Sequence, residues 1–363
     1  MDIESKLELI RKPPTEEIIT EDDLRQLLET KEHPIAYNGF EPSGIAHLGT
    51  GLLSAIKMND LIEAGIHYKI LLATWHAAIN MKLDGDLNKL RKAGEYLKHA
   101  WIACGVDPKK VEFVFAEDLC GNLDYWELVL KLGSKVSMQR VKRALTIMGR
   151  TQEEQLPAAS YIYPLMQTTD IFKLNCDICQ LGIDQRRANM MAREIGLNLG
   201  LWKPVAVHHH LLIGLQGPTK MGGFETTKGF DVEISSKMAK SIPKSYISIH
   251  DSHEEIKAKI EEAFCPPKVT ENNPILEICN YIIFRKSESI EIERLAKYGG
   301  NVDFHSYHEL EKEFRDGKLH PADLKKAVTE ELNKILEPVR EYFEKNKEAR
   351  ELFEFIKRER ITR

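Results

Sequence analysis

No stretch of this chain approaches the ~18–20 uncharged apolar residues that a bilayer-spanning helix requires. The strongest apolar run, Ile70 to Ala73, is interrupted within a few positions. A secretory leader, basic and then apolar, is also missing: the chain opens Met1-Asp2-Ile3-Glu4-Ser5-Lys6. The expectation is a cytoplasmic protein with no membrane segment, whose six cysteines stay reduced. There is little net charge. Fifty-one Lys+Arg stand against 56 Asp+Glu, a balance of −5, so a nucleic acid would have to be held by a local basic patch. Repeats and low-complexity tracts are absent. What is there is a chain of 363 residues, 42% hydrophobic and 29% charged, long enough for two or three domains with sizeable cores.

Buried-strand patterns occur at Ile70–Ala73, Val111–Phe115 and Val205–Val207. Between them run helical stripes, one through Leu52, Ile56, Met58, Leu61 and Ile62 and another over Leu87–Ala103. Such alternation predicts an α/β unit with a mainly parallel sheet. The character changes after about Asp251. Ser252-His253-Glu254-Glu255 reads as a capping box, Cys265-Pro266-Pro267 as a stop, and His320-Pro321 as another helix start. The stripe Leu324, Val328, Leu332, Ile335, Val339 and Phe343 follows, so the C-terminal third is expected to be all-helical. Gln216–Ile234, rich in Gly, Thr and Lys, reads as a loop.

Two segments carry chemistry. Phe40-Glu41-Pro42-Ser43-Gly44-Ile45-Ala46-His47-Leu48-Gly49-Thr50 reads as strand end, turn and helix N-terminus, where free backbone N–H groups and the helix dipole suit a phosphate. A structural histidine in a turn fits the same residues. Lys237-Met238-Ala239-Lys240-Ser241 places two lysines three apart after a long loop, able to close over a triphosphate or simply to be a solvated basic loop. From the residues alone both readings stay open.

In this order, the pair resembles the signature motifs of the class I aminoacyl-tRNA synthetases. Four further blocks resemble the archaeal and eukaryotic-type tyrosyl-tRNA synthetases. They are Ala36–Gly44, Tyr161-Ile162-Tyr163-Pro164-Leu165-Met166-Gln167-Thr168-Thr169-Asp170-Ile171, Gly182–Arg187 and Leu319–Lys325, within a likeness running from about Thr15 to Glu344. The archaeal form, without an appended C-terminal domain, fits best. The resemblance implies a Rossmann-type (HUP-like) parallel-sheet catalytic domain over 1–250, with a dimerisation insertion at about 113–161 and the phosphate loop at 237–241. A helical anticodon-binding domain over 251–363 would follow. It implies activation of tyrosine with ATP and Mg2+, transfer to tRNA(Tyr), and a homodimer.

Carried over residue by residue, the resemblance gives Tyr37 and Asp170 to the phenol hydroxyl, and Tyr163, Gln167 and Gln185 to the substrate's amino group and backbone. His47, Gly49, Thr50, Lys237, Met238, Lys240 and Ser241 would hold ATP, with His47, Thr50 and the two lysines stabilising the reacting phosphates. Arg143 and Arg186 fall to the acceptor stem, and Tyr298, His320 and Asp323 to an anticodon base. A helix carrying Leu128 to Leu145, with Lys135, Arg140, Lys142 and Arg143 facing away from its stripe, would supply the dimer interface and a basic track. Because a carboxylate is already ionised at neutral pH, such activation needs no general base and no protein nucleophile.

Departures from the pattern fall at Ala239 (usually serine), Thr74 (usually acidic), Thr50 (often a second histidine) and Leu181, which breaks a double glycine. Other features read as bland. Cys176 and Cys179 have zinc-like spacing but no second ligand pair, His208-His209-His210 cannot converge along a strand, and Lys220-Met221-Gly222-Gly223 lacks a second lysine; no metal site is expected. A tryptophanyl-tRNA synthetase and a tRNA-binding paralogue with weakened activation are the competing functions.

Overall fold

The computed structural model describes residues 1–149, 155–218, 237–238 and 243–359. A six-stranded sheet lies at its centre: β1 (Thr15–Ile19), β2 (Ile35–Phe40), β3 (His67–Leu72), β4 (Val111–Phe115), β5 (Ile178–Gly182) and β6 (Val205–His209). The spatial order is β1-β6-β5-β2-β3-β4, parallel throughout except that β1 runs antiparallel to β6. The chain leaves β2 toward β3 and β4, then returns on the other side through β5 and β6. The crevice between the carboxyl ends of β2 and β5 is therefore a topological switch point, where such sheets bind ligands. Every residue of β5 and β6 is buried, as apolar runs covered by helices on both faces require.

The predicted helices at 52–62 and 87–103 form as Ser54–Glu63, preceded by a wider turn at Gly49–Leu53, and as Leu87–Ala103. Asp86 caps the second by accepting from the N–H groups of Asn88 and Lys89. Helices Leu123–Gly133, Met138–Ala144, Tyr163–Lys173 and Arg186–Gly196 complete this part with shorter turns. Phe113 lies within β4, and helical turns begin at Ala116.

The later part opens with His253–Glu262, whose capping box joins Ser252 and Glu255 reciprocally, and contains Tyr307–Arg315, Pro321–Lys345 and Lys347–Arg358. It is not all-helical. Ile290–Ile292 (β7) and Val302–Phe304 (β8) pair antiparallel, because Ile290 and Ile292 alternate inward around the outward Glu291. The single helix expected over Leu128–Leu145 is also corrected. It breaks after Gly133, and Ser137 starts a new helix by accepting from Arg140 N–H at 3.3 Å, which leaves Lys135 in the connection.

One apolar cluster runs from Leu7 under the sheet to Ile356, spanning both parts; a second, with Tyr37, Tyr125, Met166 and Cys179, underlies the crevice. Lys57, wholly buried, donates to the carbonyls of Leu9, Ile10 and Lys12 at 2.8–3.2 Å and pairs with Asp60, whose other oxygen takes Arg285 at 2.6 Å. Burial outweighs Asp60 and pushes this ammonium down to about 8. The three histidines after Ala206 diverge as expected, although β6 itself includes His208 and His209. His208 lies against Glu17 and Asn189, His209 against Gln180, and His210 between Glu16 and Glu277.

Candidate active site

At the floor of the crevice, β2 presents Tyr37, and the helix Tyr163–Lys173 presents Asp170, 1% exposed. Tyr125, from the neighbouring Leu123–Gly133 helix, donates its hydroxyl to Asp170 Oδ1 at 2.7 Å. His76 places Nε2 3.0 Å from Asp170 Oδ2, but out of line for a hydrogen bond. Tyr37 Oη, Asp170 Oδ2 and both ring nitrogens of His76 are buried and have no hydrogen-bond partner among the described residues. Buried polar atoms are nearly always satisfied, so a cluster of orphans marks a place that is built for a polar group. Burial, then Cys179 and Asp170, push the Tyr37 phenol well above its ordinary value, and burial and Asp170 do the same to Tyr125. Both are protonated donors at neutral pH.

Two helical turns earlier on the same helix, Tyr163 donates to Glu41 Oε1 at 2.6 Å, and Asn80 braces that carboxylate at 3.1–3.2 Å. The ring of Tyr163 meets His76 edge-on, with centroids 4.9 Å apart. Gln167 donates to Gln185 at 3.0 Å, and Gln185 donates to the Ile147 carbonyl at 3.1 Å. The five residues assigned by resemblance to tyrosine thus line two joined stations, a phenol floor and an amide-and-carboxylate wall. Thr74, where an acidic residue was expected, keeps a carboxylate in place through its hydroxyl, which donates to Glu117 at 2.6 Å.

The turn after β2 forms the third station. His47 accepts the Gly49 N–H at Nδ1 (3.1 Å), and its backbone N–H donates to Thr50 Oγ1 (3.2 Å). A Cβ on Gly49 would come within 3.0 Å of the His47 ring, so glycine there lets the imidazole fold back. Ser248 bridges His47 from the far side, and Tyr96 Oη accepts the Ala46 N–H at 3.0 Å. Lys237 Nζ lies 2.5 Å from Asp184 Oδ2, on the segment that follows β5. Burial acts to raise the Asp184 carboxyl, and Lys237 overcomes it, leaving the group below its ordinary value. Met238 packs its side chain in the core, so any nucleotide contact there belongs to its backbone. Lys240, Ser241 and Ala239 lie outside the described residues.

The family description "tRNA synthetases class I (W and Y)" matches residues 29–226 and 231–337. The chain belongs to this family. Among the relatives of this synthetase, the tyrosine–tRNA ligase of Saccharolobus solfataricus is 46% identical, covering all of this chain and 99% of its own. The tyrosine–tRNA ligase of Thermococcus kodakarensis is also 46% identical, with both chains fully covered. The tyrosyl-tRNA synthetase of Pyrococcus horikoshii, solved with L-tyrosine, superposes with a TM-score of 0.90 at 43% identity, covering 98% of this chain and 100% of that one.

Of the synthetase's residues assigned by resemblance to RNA, Arg143 is exposed on the short helix Met138–Ala144. Arg186 is part-exposed and tied to Glu17 at 2.9 Å, so an RNA would have to share it with that carboxylate. His320 caps the helix Pro321–Lys345 by accepting from Ala322 N–H at 3.1 Å, with Asp323 in the first turn. Tyr298 falls in the turn Ala296–Tyr298. Sequence reasoning missed Glu41, His76, Tyr125 and Asp184. Glu41 and Asp184 sat inside quoted blocks and were passed over; Tyr125 reads as one more member of an apolar helix stripe.

Proposed function

We propose that the chain is a tyrosine–tRNA ligase, joining the carboxylate of tyrosine to the α-phosphate of ATP with loss of pyrophosphate, then passing the tyrosyl group to the 3′-terminal adenosine of tRNA(Tyr). The observation that carries this reading is the buried floor where Tyr37, Asp170, His76 and Tyr125 gather with polar atoms unsatisfied. A phenol hydroxyl entering there can donate to Asp170 and accept from Tyr37, whereas a phenylalanine would leave both unpaired in a dry pocket. Discrimination of this kind is best known from tyrosine-activating enzymes themselves. The floor favours tyrosine over tryptophan, whose indole carries a single donor and no acceptor.

The substrate ammonium would lie against Tyr163, backed by Glu41, and against the Gln167–Gln185 pair. Its carboxylate, already ionised, would point toward the turn carrying His47 and Thr50. Chemistry is then positioning plus charge neutralisation: the attacking oxygen and the departing pyrophosphate are held in line, and His47, Thr50, Lys237 and Lys240 offset the charge that builds on the phosphates. Lys237 would exchange Asp184 for phosphate oxygens as ATP enters. Magnesium would come with the triphosphate. Among the described residues no cluster of three or more His, Cys, Asp or Glu could hold it, and no step is routed through it.

On this reading residues 1–250 are the catalytic domain and 251–363 the anticodon-binding domain. Arg143 and Arg186 would meet the acceptor stem, and Tyr298, His320 and Asp323 an anticodon base. Leu123, Leu130 and Met138, 83%, 73% and 59% exposed on successive helices, would form the seam of a homodimer. Among the described residues no helix is long and apolar enough to cross a membrane, in keeping with a cytoplasmic enzyme. ATP–pyrophosphate exchange with tyrosine and tryptophan side by side is the deciding assay. Exchange with tyrosine alone is expected. Exchange only with tryptophan would reassign the substrate, and tRNA binding with no exchange would leave a paralogue that has lost activation.

A further inference from the structure

We infer that Glu277, on the helix Pro274–Ile278 of the C-terminal part, is a positioning residue for the phosphate-handling lysine Lys237, acting through a backbone rung and clamped by His210. The inference rests on the reading that Lys237 serves the triphosphate. Lys237 is held to the body of the protein at its backbone by a short antiparallel rung: Ile213 bridges Lys237, and Met238 N–H donates to the Leu212 carbonyl at 2.8 Å. Met238 is anchored in the core immediately beside it.

The outer side of that rung is fixed by one carboxylate. Glu277 Oε2 accepts the Ile213 N–H at 2.8 Å and lies 3.2 Å from His210 Nε2, an ion-pair contact out of line for a hydrogen bond. His210, the residue after β6, has Nδ1 3.5 Å from Glu16 Oε2, stacks on Tyr281 with ring centroids 4.5 Å apart, and donates its own backbone N–H to Pro14. Burial opposes its charge, but the two glutamates prevail and raise the imidazole to about 9, so the clamp is cationic at neutral pH. Glu277 is thus held by a cation at a sheet strand's end while it holds the Ile213 segment, against which the segment bearing Lys237 is paired. A charge-assisted bond to a backbone N–H is among the stronger ones a protein makes, and its loss would let the rung, and the ammonium beyond it, drift from the phosphates.

The experiment is tyrosine-dependent ATP–pyrophosphate exchange on the full-length protein, with E277A and E277Q, each also in a K237A background, and tyrosine affinity measured without ATP. E277A should raise the KM for ATP on the order of tenfold and leave tyrosine affinity within about twofold. E277Q keeps an oxygen for Ile213 N–H but not the charge facing His210, and should fall between, at about threefold. In K237A the effect of E277A should shrink, because the two act on one group. Unchanged ATP kinetics in E277A, equal losses for ATP and tyrosine, or full additivity with K237A would overturn the inference while leaving the ligase reading intact. Should E277A not fold, E277Q decides: a rise in the ATP KM alone supports the rung, and a wild-type value overturns it. Wild-type protein without tyrosine-dependent exchange would overturn both.

Discussion

A hydroxyl that donates to Asp170 in the crevice finds the carboxylate already engaged on its other oxygen by Tyr125. That engagement matters because Asp170 is buried between two aromatic rings and an imidazole, and its orientation decides which lone pair faces the substrate. Tyr125→Phe deletes one hydrogen bond of about 1–3 kcal/mol without creating a void. The KM for tyrosine should rise by about five- to a hundredfold while the KM for ATP stays put. Steady-state exchange with each substrate varied checks this, and equal shifts in both would show that Tyr125 is only a packing residue. Tyr37, Asp170, Tyr163, Gln167 and Gln185 could be singled out because each sits in a short block that resembles a family motif. Tyr125 and His76 were not: each reaches Asp170 from a separate segment, and nothing local marks a tyrosine in a helix stripe as pointing inward at a carboxylate.

At the level of elements, the α/β alternation, the turn at 41–50 and the capping box at Ser252 were readable because their causes are local. The break at 134–137 was not, since the apolar stripe continues in phase on both sides and only Ser137's bond to Arg140 N–H tips the chain into a fresh start. The β7–β8 pair escaped notice for a related reason: three-residue strands carry too little alternation to outvote the helices around them. The clamp on β6 makes a pH prediction. His210 is raised to about 9 from an ordinary 6.5, so its contribution to folding stability is complete below about pH 6.5 and is lost as pH climbs through about 9. The melting temperature of wild type should therefore exceed that of His210→Asn at pH 6.5, and the gap should narrow by pH 9.5. A gap that widens with pH would mean that the imidazole is neutral in the fold.

For the molecule as a whole, the two parts share one apolar core, with polar ties across them at Asp60–Arg285 and His99–Tyr342 and a ring stack beside them. Tyr96 joins the Ala46 N–H to His250, which stacks on Phe353 from the last helix. The turn that bears His47 is thus joined through Tyr96 and His250 to the last helix. The proposed association of two copies rests on leucines that a lone protomer leaves in water. Leu123→Lys with Leu130→Lys should turn a dimer of about 83 kDa, twice the 41.6 kDa chain, into a monomer by light scattering. A dimer that survives both changes places the seam elsewhere. Nothing in single-chain periodicity distinguishes these leucines from core positions; only the fold reveals that they face outward.

The buried Lys57 ammonium has a practical corollary for anyone shortening the chain. Its solvation shell has been replaced by three carbonyls belonging to residues 9, 10 and 12. Trimming the first dozen residues as dispensable would leave that cation with Asp60 alone, and the damage would surface about 45 positions downstream of the cut, in the helix that follows the turn bearing His47.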